Sequence, residues 1–73
     1  MAARYTPEQR RRHHVAHKRV ADVHDAAARA HEDLAVRFEV LGRLDQAERE
    51  RDLAAQERVK ARMEHETARH FED

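Results

Sequence analysis

Cysteine is absent from this 73-residue chain, which excludes both a disulfide framework and a thiolate metal site. Tryptophan is absent too, and tyrosine and phenylalanine contribute only Tyr5, Phe38 and Phe71. The chain has one glycine, Gly42, and one proline, Pro7, so it holds no glycine-rich phosphate loop. Its only hydroxyl groups, on Tyr5, Thr6 and Thr67, lie near the two ends. A chain this short has no room for a closed pocket of the usual ~300 Å³ or more unless an oligomer supplies it. These absences together argue against an enzyme. No apolar run approaches the ~18 residues of a membrane span, and the first residues lack a signal-peptide apolar region. The expectation is a cytoplasmic protein without membrane contact. Charge of one sign is also missing, because 15 Lys and Arg balance 15 Asp and Glu. Large apolar residues are few: four Leu, six Val, two Phe and no Ile. That is below the ~20% at which disorder becomes a concern, but balanced charge removes the usual companion of disorder. The expectation is a single domain over residues 1–73 that folds with the help of a partner. The rich use of Ala, Arg and His is what a GC-rich bacterial or phage genome encodes.

What is present is a seven-residue repeat that changes content at the glycine. The first half carries Ala16-His17, Val23-His24 and Ala30-His31, with Val20-Ala21, Ala27-Ala28 and Leu34-Ala35 between them. The second half carries Ala47, Ala54, Ala61 and Ala68, with Glu-Arg following at 50–51 and 57–58 and Glu64-His65 after that. A heptad period places small apolar residues along one helical stripe. Thr6-Pro7-Glu8-Gln9 reads as a helix start, with Thr6 capping, Pro7 in the first turn and Gln9 completing a capping box. The first helix is expected over residues 7–41, with Val20, Val23, Ala27, Ala30, Leu34, Phe38 and Leu41 as its apolar face. Gly42 suits the left-handed residue that ends a helix. Asp45, with Glu48 three residues on, suits the cap of a second helix over 46–70. One continuous helix is disfavoured. The first helix's register carried forward meets Glu48, Arg51, Arg58, Arg62 and His65, and the alanine stripe lies one residue out of phase.

The expected fold is therefore all-α: an antiparallel two-helix hairpin that assembles into a four-helix bundle or coiled coil. Residues 1–5 and 71–73 are expected to fray. The large residues Leu34, Val36, Phe38, Val40, Leu41 and Leu44 cluster near the turn and are expected to form a stable nucleus there. The expected interface comprises Val20, Val23, Ala27, Ala30, Leu34, Phe38, Leu41, Leu44, Ala47, Ala54 and Ala61.

Residues 28–61 resemble a single tetratricopeptide repeat, a 34-residue helix-turn-helix. The matching positions read His31-x-x-Leu34-Ala35-x-x-Phe38 and then Ala47-x-x-x-Arg51 with Ala54. His31 replaces the motif's tryptophan, Arg51 its phenylalanine and Val59 its closing proline. The resemblance implies hairpin geometry and a role in binding peptides or partner proteins. It assigns no functional residue.

The histidines are the most unusual content. His17, His24 and His31 recur at heptad spacing, about 10.5 Å apart along a helix, too far to share one metal ion. Their reading is a titratable row beside the seam, whose protonation near pH 6 weakens assembly. The bland alternative is a row of edge residues reaching solvent. Antiparallel numbering places His70 opposite His17, so His13, His17 and His70, with Glu66, form a candidate site for zinc, nickel or copper. Arg10, Arg11 and Arg12 form a basic cluster that suits phosphates of nucleic acid. Its alternative is neutralisation by the acidic residues near position 70. The functional expectation is a small non-enzymatic protein–protein interaction module: an adaptor, regulator or assembly factor. It acts as a homo-oligomer, dimer favoured, on an unidentified partner protein. A nucleic-acid-binding regulator and a histidine-based metal-binding bundle are the alternatives.

Overall fold

The computed structural model describes residues 4–72. Helix α1 spans Pro7–Val40 and helix α2 spans Leu44–Arg69, and they pack along their length as an antiparallel hairpin. The principal extents are 58 × 19 × 12 Å. The smallest equals about one helix diameter, so the described residues form one layer whose main internal packing is the seam between the two helices.

Helix α1 begins as its sequence dictates. The Gln9 amide donates to Thr6 Oγ1 at 3.1 Å and the Thr6 amide donates to Gln9 Oε1 at 2.8 Å, with Pro7 in the first turn. The two reciprocal bonds satisfy amides that the helix itself leaves unpaired. At the other end Gly42 adopts φ 73°. Its amide donates to the Glu39 carbonyl at 2.9 Å, and the Arg43 amide donates to the Phe38 carbonyl at 2.8 Å. This bond pair is a Schellman motif, which requires a left-handed residue at the position Gly42 fills. The chain then enters α2 directly at Leu44, with Arg43 as N-cap and no side-chain capping bond. The expected cap at Asp45 is not used. The Schellman turn delivers the chain into helix two residues too early, and Asp45 lies in the first turn, where a carboxylate favours the helix dipole.

The seam is built from the smallest apolar side chain. All seven buried residues among those described are alanines: Ala21, Ala28 and Ala35 on α1, and Ala47, Ala54, Ala61 and Ala68 on α2. The α2 stripe is the one its heptads predict. The α1 stripe lies one residue beyond the expected face of Val20, Ala27 and Leu34. Two helices approach most closely through alanines, because interaxial distance follows the contact side chains. Turning Val20 and Leu34 inward would hold the axes apart. The expected nucleus at the turn is likewise absent: Val40, Leu41 and Leu44 are 81%, 66% and 64% exposed.

Candidate interaction surface

The heptad that places alanine in the seam also places charged residues on both of its flanks. On one flank α1 presents histidine and α2 presents glutamate. His17 Nδ1 meets Glu64 at 2.6 Å, His31 Nδ1 meets Glu50 at 2.9 Å, and His24 Nδ1 meets Glu57 between them. A carboxylate only accepts, so each Nδ1 carries the proton that bonds it. The Glu57 carboxyl is held below its usual range. The bond from His24 is the main cause; desolvation opposes it, and the positive charges of Lys60, His24 and His31 add to it.

On the other flank the polarity reverses. Here α1 presents the acids Asp25, Glu32 and Glu39, and α2 presents the bases His65, Arg58 and Arg51. Asp25 meets His65 Nε2 at 3.2 Å, while Glu32 pairs with Arg58 and Glu39 with Arg51. Each pair is partly exposed and contributes little alone, ~0–1 kcal/mol. Their joint effect is directional. A one-residue slip, or a parallel arrangement, unpairs both ladders.

Pairing changes the reading of His17, His24 and His31. A proton on any of these rings is met by a carboxylate across the seam, so it converts a hydrogen bond into an ion pair. The expected repulsion at the seam is absent from this geometry.

At the open end Phe71 sits within an aromatic cluster. Its ring stacks on His13 and His17 at centroid distances of 4.9 and 5.8 Å and meets the edge of Tyr5 at 5.4 Å. Tyr5 and Phe71 are therefore packed where fraying was expected, while residues 1–3 and Asp73 lie outside the described residues. His13, His17 and His70 do not converge: His17 Nδ1 is engaged by Glu64, and His70 offers its carbonyl to Arg10. Among the described residues, the one trio of ligand-type side chains within 4.8 Å of one another is Asp22, Asp25 and His65. There the Arg58 guanidinium, 4.0 Å from Asp25, already supplies positive charge. Sequence reasoning missed that trio because the numbering that set His70 opposite His17 sets Asp25 opposite Arg62, whereas the structure pairs Asp25 with His65.

The arginine cluster is dispersed around its helix. Arg10 lies over the Phe71 ring at 5.7 Å, Arg11 lines a shallow groove with His14, Phe71 and Glu72, and Arg12 is exposed. A larger open groove of about 570 Å³ gathers Lys18, Arg58, Arg62 and Arg69 beside Asp25 and Glu72.

One exposed feature is apolar. Val20, Val23, Leu34 and Leu41 are exposed along the outer side of α1, with Ala27 and Ala30 between them. Of the other residues expected at the interface, Phe38 is half-buried beside the turn and Leu44 is exposed, while Ala47, Ala54 and Ala61 lie in the intramolecular seam. No described helix is long and apolar enough to cross a membrane. Comparison with family models, curated proteins and solved structures finds no match to this chain.

Proposed function

We propose that the protein is a non-enzymatic interaction module, a self-associating helical hairpin whose outer α1 surface is its contact face. One observation carries this reading: every buried residue among those described is an alanine, while Val20, Val23, Leu34 and Leu41 face outward. Burial contributes about 0.8 kcal/mol per methyl-sized group, against about 1.5–3 kcal/mol for a whole Val or Leu side chain. The seam therefore draws on the weaker part of the chain's apolar content, and the stronger part is left for association. Small domains that cannot build a large core commonly reach stability by oligomerising.

The test is sedimentation velocity across a hundredfold range of protein concentration, paired with thermal melts at the same concentrations. A dimer that dissociates on dilution, with a melting temperature that rises with concentration, is the expected result. A monomer throughout, with a constant melting temperature, overturns the reading.

A further inference from the structure

The outer stripe of α1 is complementary to itself when reversed. We propose that a second copy of the chain covers it, α1 against α1 in antiparallel direction, about a twofold axis midway between the levels of Val23 and Ala27. The proposal rests on the self-association reading and adds to it the orientation, the register and the residues that set them.

Two independent features meet in this arrangement. The first is shape. With the axis between Val23 and Ala27, Val20 falls opposite Ala30 of the second copy, Val23 opposite its Ala27, and Leu34 opposite its Ala16. Large side chains then meet small ones, as close packing of two ridged surfaces requires. Val20, Val23 and Leu34 are 42%, 66% and 39% exposed in the hairpin, so all have area left to bury.

The second is charge. Arg19 and Asp33 lie one heptad either side of Ala26, on the edge of the stripe away from α2. Both are exposed, and neither has an ion-pair partner among the described residues. Antiparallel helices bring equivalent flanking positions face to face. Arg19 then meets the second copy's Asp33, and the symmetry repeats the pair at the other end, as a closed isologous contact demands. A parallel arrangement instead sets Ala27 against Ala27 and Arg37 against Arg37, leaving a void and a like-charge contact.

The experiment measures dimer dissociation constants of the full chain by sedimentation velocity, with circular dichroism confirming unchanged helicity. Arg19→Asp and Asp33→Arg should each weaken the dimer about tenfold, since either creates two like-charge contacts. The double variant should restore wild-type affinity, because the pairs reform with exchanged signs. An equimolar mixture of the two single variants should form a heterodimer in preference to either homodimer. A wild-type dimer indifferent to the single changes, or one not rescued by the double change, overturns the antiparallel assignment while leaving self-association standing. A wild type that stays monomeric overturns both.

Discussion

Replacing Ala28 with Leu tests the seam at its middle. Ala28 is fully buried and lies one turn beyond His24 and Asp25, the α1 members of one pair in each ladder. An isobutyl group here has no space between the two helices. It must leave its preferred rotamer or push the axes apart, at about 1–3 kcal/mol by comparison with overpacked cores. Separation also stretches His24–Glu57 and Asp25–His65. In a domain of this size each kcal/mol moves the melting temperature by about 4–8 °C, so a fall of roughly 5–20 °C is expected. The assay is circular dichroism at 222 nm during heating, at one fixed protein concentration. Ala55→Leu is the control: it makes the same change one residue from Ala54, at an exposed position, where a shift within about ±0.5 kcal/mol is expected. If Ala28→Leu melts at or above the wild-type temperature, the helices are not held at alanine distance and the seam argument fails.

Two further outcomes follow from single positions. Gly42→Ala should cost about 1 kcal/mol, since φ 73° is disfavoured for a residue with a Cβ. Nothing lies within 4 Å of the added atom, so Gly42→Asn, which tolerates this conformation better, should recover part of the loss; equal losses would contradict a purely conformational cost. Glu57→Gln tests the His24 pair by its pH dependence. The folded carboxyl is depressed, so its contribution is present above the unfolded carboxylate value and is lost as pH falls through the folded one. The variant should melt below wild type at pH 7, and the gap should narrow as pH falls below the ordinary carboxylate range; a gap unchanged by acidification would show that the carboxylate is not the cause.

Much of the fold was legible because it rests on local rules. Thr6 with Gln9, Pro7 in the first turn and Gly42 at the break each carry a backbone consequence, and each is realised. The α2 alanine stripe was legible because nothing larger shares its period. On α1 two stripes compete one residue apart, and weighting by size selects Val20, Ala27 and Leu34 over Ala21, Ala28 and Ala35. Size is the wrong criterion where closeness is what the flanks need. The ladders themselves were within reach of the sequence. Positions 17, 24 and 31 oppose 64, 57 and 50, and 25, 32 and 39 oppose 65, 58 and 51, with matched periods and opposite charge. Reading the two halves as one paired object, rather than as two amphipathic helices, is what reveals them. The Asp45 cap failed for a different reason: a side chain's capping preference yields to the exit geometry of the preceding turn.

The identical heptads have a consequence for length. Sliding α2 by seven residues, about 10.5 Å along the axis, again sets alanine against alanine and histidine against glutamate. The middle of the hairpin therefore cannot identify its own position. That information resides at the ends, in Gly42 at one and Phe71 at the other. The body behaves as a periodic rod between two fixed fittings. Removing residues 24–30 together with 51–57 would join Val23 to His31 and Glu50 to Arg58, leaving every remaining pair with a partner of the same kind. A molecule built this way can be shortened or lengthened in whole heptads, and the spacing between whatever it holds at its two ends changes in steps of one repeat.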